Sequence, residues 1–111
     1  MAEAATSYSR SRLVREAALT ERDWQEVKLC RRAYNKLGFA YQVGFVRLQN
    51  RFPHQSPFEI HDELLRYTAM QLEMDAEEIS HYASRQHTVS DHQARIRISE
   101  LFSKVGDGEN R

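Results

Sequence analysis

Apolar residues recur every three or four positions over most of the chain, which is the spacing of one face of an α-helix. The stretch "DHQARIRISELF", residues 91–102, is an example. Wound as a helix, it places Ala94 and Ile98 on one side and His92 and Arg97 on or near the other. We predict that the apolar side faces a core and that the polar side faces either water or nucleic acid.

Short polar motifs predict where several helices begin. Thr20 opens "TERD", in which the threonine oxygen can accept a backbone N–H of the first turn. Asp75 with Glu78, and Ser90 with Gln93, repeat the pattern of a capping residue followed three positions later by Glu or Gln. Each pair predicts a helix start.

The stretch "SPFE" is the sharpest of these signals. Ser56 is placed to cap, Pro57 suits the first helical position, and Glu59 can reach back to the cap's own N–H. Upstream, Gly38 is predicted to end the helix that begins at Thr20, because glycine adopts the left-handed terminal conformation without a steric penalty. Residues 39–52 are interpreted as a helix, since no second strand is available to pair with them.

These elements predict an all-α fold, a compact helical bundle. A long helix, a short turn, a short helix and a final helix follow one another after residue 56, which is the order of a helix-turn-helix unit. Large residues on the apolar faces form the predicted core: Trp24, Val27, Tyr34, Phe45, Leu64, Leu65, Leu72, Ile79, Tyr82, Ile98 and Leu101.

Composition limits the chain to one ordinary domain. It has 111 residues, of which 41% are hydrophobic and 29% charged. The single cysteine, Cys30, cannot form an internal disulfide and is interpreted as a buried small side chain. No apolar run reaches membrane-spanning length, and the N-terminus lacks the apolar core of a secretion signal. A cytoplasmic protein with no membrane partner is expected.

The net charge of zero hides an asymmetry along the chain. Residues 1–52 carry ten Lys/Arg against five Asp/Glu, whereas residues 53–111 carry six against eleven. Within the second half, the acids gather in residues 57–78 and basic residues return in residues 79–104. The basic material therefore lies in two blocks, and a basic surface is a reason to expect nucleic acid.

Catalytic and metal-binding chemistry is not predicted. His81, His87 and His92 are spaced by six and five residues, which is not the spacing of a helical zinc site. The carboxylates are better explained as helix caps and solvated faces than as acid and base. We expect no catalytic residue, no metal ligand and no cofactor.

Candidate DNA-binding residues lie in the two basic blocks. Three of them fall around residues 31–36, where we expect a cluster on one helix face. The others fall in and just before the last predicted helix, where arginine can bridge guanine edges or hold phosphates, and where His92 is as well explained by a structural role. The complete set is Arg31, Arg32, Lys36, Arg85, Thr88, Ser90, His92, Gln93, Arg95 and Arg97.

Four motifs carry a family resemblance. They are "N-x-L-G-F-A-x-Q" at residues 35–42, "Q-L" at 71–72, "Y-A-x-R" at 82–85, and a threonine, a histidine and an isoleucine spaced by four at 88–96. Over roughly residues 20–102, the chain resembles the N-terminal DNA-binding region of the large replicative transposases of the Tn-three family.

That resemblance implies a helical module that binds double-stranded DNA at the terminal inverted repeats of a transposon. It also implies a catalytic domain elsewhere, because no strand-rich metal site is found in the sequence. Residues 20–104 are then the DNA-binding domain, between a flexible arm at 1–19 and a flexible tail at 105–111. The alternative is a helical interaction or dimerisation module, favoured by the zero net charge and by Tyr8, Tyr41 and Ile96, which the pattern leaves exposed. Whether the chain is a homodimer is left open.

Overall fold

The computed structural model describes the backbone of residues 7–109 and the side chains of residues 7–100. Within that range the secondary structure is helical, apart from one isolated bridge between Gln55 and Phe58. The α-helices are α1 (Arg10–Ala17), α2 (Glu21–Lys28), α3 (Ala33–Gln49), α4 (Asp62–Leu72), α5 (Ile79–Ala83) and α6 (Gln86–Glu109), with a 3-10 turn at Ala76–Glu78 before α5. The predicted all-α fold is confirmed.

Helix α3 is the centre of the bundle and contacts each of the other five α-helices. Its side chains are buried without interruption from Leu37 to Phe45. A helix that is apolar all round is the expected sequence of a fully surrounded core helix. The Cα radius of gyration is 13.7 Å, close to the value of about 13 Å expected for a compact domain of this length.

Two glycines lie inside α3, and the prediction that Gly38 ends a helix is wrong. A Cβ built on Gly38 would lie 2.2 Å from ring carbons of Tyr82 on α5. The residue is therefore required by a close approach between helices. A Cβ on Gly44 would lie 3.0 Å from a methyl carbon of Leu64 on α4, which is a milder contact.

The helix that begins at Thr20 is shorter than predicted, although its start is confirmed. Thr20 Oγ1 accepts from the backbone N–H of Asp23, and the Asp23 carboxylate accepts from the N–H of Thr20. The helix stops at Lys28, and Cys30 is buried in the following turn, as expected of its side chain. Lys36 explains the break, because its Nζ donates to the carbonyl oxygens of Val27 and Cys30.

The predicted helix start, with Ser56 as the cap and Pro57 as the first residue, is wrong, because α4 begins five residues later, at Asp62. The two residues form a turn, and Glu59 does not complete a capping box. Its carboxylate instead makes two hydrogen bonds of 2.8 and 2.9 Å with Arg51, and these hold the pKa of Glu59 at about 2. A charged partner eight residues earlier in the chain has replaced the local cap.

The two later cap signals had different outcomes. Asp75 is confirmed as a cap, since its carboxylate accepts from the backbone N–H of Glu77. Ser90 and Gln93 do not start a helix: α6 begins at Gln86, and both residues lie within it. Ser90 donates to Gln55, which is remote in sequence.

Burial confirms six of the predicted core residues and corrects the phase of α6. The buried ones are Val27, Phe45, Leu64, Leu65, Ile79 and Tyr82, the half-buried ones are Trp24, Tyr34 and Leu72, and the Leu101 side chain lies outside the described range. Ile98 was expected inside but is 57% exposed. Tyr8, Tyr41 and Ile96, expected outside, are buried. The alternative prediction of an interaction or dimerisation module therefore loses the support of these three residues.

The described part of the N-terminal arm is packed against the bundle. Leu13 and Ala17 of α1 are buried, and α1 contacts α3 and α4. Its N-cap Ser9 accepts from the backbone N–H of Arg12. The domain limits at residues 19 and 104 remain predictions, as does the cytoplasmic location. Among the residues described, no helix is long and apolar enough to cross a membrane.

Candidate nucleic-acid interface

The N-terminal ends of α3 and α6 meet at Tyr34. The guanidinium carbon of Arg85 lies 5.1 Å from the centre of the Tyr34 ring, and the ring of His81 lies 5.7 Å from it. Tyr34 is the second residue of α3, and Arg85 directly precedes α6. Two helix starts, one from each half of the chain, are thereby brought together.

Two exposed arginines directly precede α3. Arg32 occupies the N-cap position but makes no side-chain capping bond, and Arg31 precedes it. The first turns of α3 and α6 contain no acidic residue. Because the N-terminal end of a helix carries partial positive charge and backbone N–H groups, both ends attract anions. We name Arg31, Arg32, Tyr34 and Arg85 the N-terminal surface.

Lys36, predicted to bind DNA, mainly stabilises the fold. It is half-buried, and its ammonium group donates to the carbonyl oxygens at the end of α2. Those carbonyls carry the partial negative charge of a helix C-terminus, so that the contact stabilises the turn between α2 and α3. Its charge still adds to the positive potential near Arg31 and Arg32.

His92, predicted to read a base or a phosphate, is only 5% exposed. Its Nδ1 lies 2.8 Å from the Tyr82 hydroxyl, and its Nε2 lies 3.9 Å from Cys30 Sγ. Burial, with a smaller contribution from the charge of Arg95, lowers the pKa of His92 to about 4. The ring is therefore neutral at pH 7 and holds α6 against its neighbours.

Gln93 and Ser90 take part in a hydrogen-bonded line beside His92. Gln93 Nε2 donates to Gln42 Oε1 at 2.9 Å, and Gln55 donates to Gln93 at 3.3 Å. Ser90 Oγ in turn donates to Gln55 at 3.3 Å, although Ser90 is itself exposed. The predicted reader Gln93 is thus occupied within the fold, and the predicted Thr88 is half-buried.

The two arginines of α6 differ in availability. Arg95 bonds to the Glu26 carboxylate at 2.8 Å and stacks over Phe39, 4.6 Å from the ring centre. Arg97 is exposed and lies over Phe52, 5.2 Å from the ring centre. A guanidinium on an aromatic ring keeps its hydrogen-bond donors free at the edge. Arg97 is therefore the more available of the two.

Some of the described arginines are in ion pairs and others are not. Between residues that the structure describes, ion pairs include Arg12, Arg15, Arg47, Arg51 and Arg95. Seven exposed arginines are in none of those pairs, namely Arg10, Arg22, Arg31, Arg32, Arg66, Arg85 and Arg97. Unpaired exposed arginines keep their full charge for a ligand.

Metal coordination has no evident place in the described part of the chain. Over that range, no three His, Cys, Asp or Glu side chains are grouped so that they could hold a metal ion. His81 and His87 are exposed, and burial raises the pKa of the Cys30 thiol.

Comparison with protein families gives a match over almost the whole chain. A family described as "Domain of unknown function (DUF4158)" matches residues 3–111. The chain belongs to the DUF4158 family.

Two curated proteins are similar to this DUF4158 chain. It is 32% identical over 83 residues to a protein of Enterococcus faecium named "Transposase for transposon Tn1546", with 75% of the chain aligned. It is 34% identical over 86 residues to the "Transposase for transposon Tn3926" of Escherichia coli, with 76% aligned. The aligned part is 8% of each transposase. These matches support the expected likeness to the N-terminal region of a transposase. No solved structure matches the chain.

Sequence reasoning missed two features of this DUF4158 domain. Tyr34 was assigned to the core, although its ring joins the two helix starts. The buried line of α6 is Val89, His92 and Ile96, whose spacing of three and four residues is helical. That spacing was visible, but the polar His92 concealed it, because histidine is not expected in an apolar line.

Proposed function

We propose that this chain is a DNA-binding module of a transposase and that it recognises the terminal inverted repeats of its transposon. The observation that carries the proposal is the contact of Arg85 with Tyr34, which brings the start of α6 beside the start of α3, directly after Arg31 and Arg32. The similarity to two transposases supports the class of protein.

Phosphate is the ligand that this surface suits best. Helix N-termini bind phosphate through free backbone N–H groups, and arginine adds charge and paired donors. The two helix starts are held by the fold, so that their N–H groups need no rearrangement on binding. The N-terminal surface would then position the domain on the duplex without reading its sequence.

The short α5, the turn at residues 84–85 and α6 would act as a helix-turn-helix unit. In that arrangement α6 lies in the major groove, and Arg85 holds a phosphate at the groove's edge. Cleavage and strand transfer would belong to another part of the polypeptide, because the chain spans only 8% of the length of the matched transposases.

A salt titration tests phosphate binding at the N-terminal surface. A module that neutralises about four phosphates should bind with a log–log salt slope of roughly −3.6. The double variant Arg31→Gln/Arg32→Gln should flatten that slope by about 1.8, with little change in base preference. Fluorescence anisotropy with a duplex of the inverted repeat and with a scrambled duplex, each over a range of salt concentrations, measures both quantities.

The matched control is Arg15→Gln/Arg66→Gln, which removes the same charge from the other end of the domain. Arg15 lies beside Glu16, which lines a cleft with Asn50, and Arg66 lines a groove with Tyr8, which bonds to Gln49. Both therefore lie near the C-terminal end of α3, about 24 Å from its start. Equal salt slopes for the two double variants would show that the phosphates do not bind at the N-terminal surface. Equal affinity of the parent for both duplexes would refute the recognition of transposon ends.

A further inference from the structure

One face of α6 is open to solvent from its first turn to the end of the described side chains. The open face is the side opposite to Val89, His92 and Ile96, which are buried against α3 and α5. The exposed residues on it follow spacings of three and four: His87, Ser90, Asp91, Ala94, Arg97 and Ile98. We name this set the outer face of α6.

The outer face has the size and shape of a groove-binding surface. From His87 to Arg97 it extends about 15 Å, at 1.5 Å of rise per residue. Ser90 and Ala94 occupy its middle and are small, so that the helix backbone can approach the floor of a groove. The major groove of B-DNA, about 12 Å wide, admits one such helix.

The outer face carries one arginine, Arg97, and one carboxylate, Asp91. Arg85 of the N-terminal surface precedes it, and Arg97 lies near its far end; neither is in an ion pair with a described residue. Between them, Asp91 is exposed and is in no ion pair within the described part of the chain. Arg95, one turn later, is bonded to Glu26 instead.

An exposed carboxylate on this face weakens binding to phosphate by repulsion, so that it opposes non-specific attachment to DNA. Against the floor of the major groove its chemistry is favourable, because an acceptor-only side chain pairs with the N4 amino group of cytosine. The same residue would therefore lower affinity for the wrong sequence and raise it for the right one.

We propose that the outer face of α6 enters the major groove and that Asp91 is a specificity-determining residue that accepts a hydrogen bond from a cytosine amino group. The inference rests on the proposed function and adds to it which face of α6 meets the bases. His92 and Gln93, expected from the sequence as readers, orient this face from behind. Arg97 and His87 flank Asp91 on the same face.

Selection from a randomised duplex library, followed by sequencing, tests the proposal on the intact chain. The parent should select a consensus with one C·G pair that depends on Asp91. Asp91→Ala should lose preference at that pair by roughly 5- to 150-fold and should bind scrambled DNA more tightly than the parent. Asp91→Asn should move the preference at that position toward adenine, because an amide both donates and accepts.

The matched control is Asp62→Asn, which removes an exposed acid from α4. It should keep the parent's consensus, which separates base reading from a change in net charge. A parent that selects no consensus would refute both the proposed function and this inference. A parent with a consensus that Asp91→Ala and Asp91→Asn leave unchanged would refute the inference alone.

Discussion

The two sides of α3 are held to their neighbours by different chemistry. Toward α4 the contacts are mainly apolar and aromatic, with Tyr41, Phe45 and Leu64 in one buried cluster. Toward α5 and α6 the contacts include a buried polar line of Gln42, Tyr82 and His92. We name the contacts between α3 and α4 the apolar seam, which also contains Gly44. We name the contacts of α3 with α5 and α6 the polar seam, which also contains Gly38.

The difference determines how firmly each helix is oriented. Apolar burial is proportional to area and has no direction, so that several rotations of a helix can satisfy it. Hydrogen bonds require aligned donors and acceptors, and a buried polar group without a partner is costly. The polar seam therefore fixes the rotation of α6, which decides the face that α6 presents to solvent.

The hydrogen bonds of the polar seam are all donated in the same order, from Gln42 to Tyr82 and from Tyr82 to His92. Gln42 Nε2 donates to Tyr82 Oη at 2.7 Å, which leaves the tyrosine proton for His92 Nδ1 at 2.8 Å. His92 Nδ1 is then an acceptor, and the ring proton resides on Nε2, toward Cys30 Sγ. A protonated His92 would carry a proton on each ring nitrogen, so that the Tyr82 hydroxyl proton would lose its acceptor.

The largest expected contrast between the seams comes from their glycines. Gly38→Ala should lower the free energy of unfolding by about 3 kcal/mol, because its Cβ meets the ring of Tyr82, which has no exposed surface. Gly44→Ala should remain within about 1 kcal/mol of the parent, since the gain in helix propensity offsets a contact with the end of a flexible leucine. Urea denaturation measures both. Similar losses for the two variants would remove the contrast.

Acid should weaken the polar seam selectively. The pKa of His92 is about 4 in the folded chain, against about 6.5 when unfolded, so that its contribution is complete above pH 6.5 and declines as the pH falls toward 4. We expect a loss on the order of 2 kcal/mol over that window, measured by urea denaturation at several pH values. His92→Gln should lack this decline, whereas His87→Gln, at an exposed position, should retain it. A parent whose stability is flat between pH 6.5 and 4 would contradict the assignment.

Removal of one hydroxyl gives the smallest of the three effects. Tyr82→Phe keeps the ring against Gly38 but leaves Gln42 and His92 Nδ1 without their common partner, which should cost about 1 kcal/mol. Tyr34→Phe is the control, since the described contacts of Tyr34 with Arg85 and His81 are made by its ring. Thermal unfolding followed by circular dichroism compares them. Equal melting temperatures would show that the hydroxyl of Tyr82 does not stabilise the seam.

Local signals predicted the fold where the decisive partner lies within a few residues. The cap at Thr20 needed only Asp23, and the cap at Asp75 needed only the backbone two residues on. The capping box expected at Ser56 did not form, because Arg51 bonds to Glu59 and the helix starts later. The sequence shows that Glu59 can accept a hydrogen bond. It does not show that Arg51 is the donor in the folded chain.

The sequence predicted the exposed residues of the candidate site but not the contacts between residues that are far apart in the chain. Arg31, Arg32, Arg85 and Arg97 are exposed, as a binding role requires, and that role remains a prediction. The sequence contained no sign that Tyr34 and Arg85 would meet, since the contact depends on how α3 and α5 pack. It also placed His92 outside, because an isolated polar residue in a helix is ordinarily assigned to solvent.

The sequence by itself determined an all-α chain, the helix starts at Thr20 and Asp75 and part of its core, because helix spacing and capping depend on neighbours along the chain. Only the tertiary structure decided which face of α6 is buried. Ile98 lies outside despite its apolar side chain, and His92 lies inside because the Tyr82 hydroxyl, which accepts from Gln42, forms a hydrogen bond with its ring. Rotation of a helix depends on the surface against which it packs, and that surface exists only when the chain is folded.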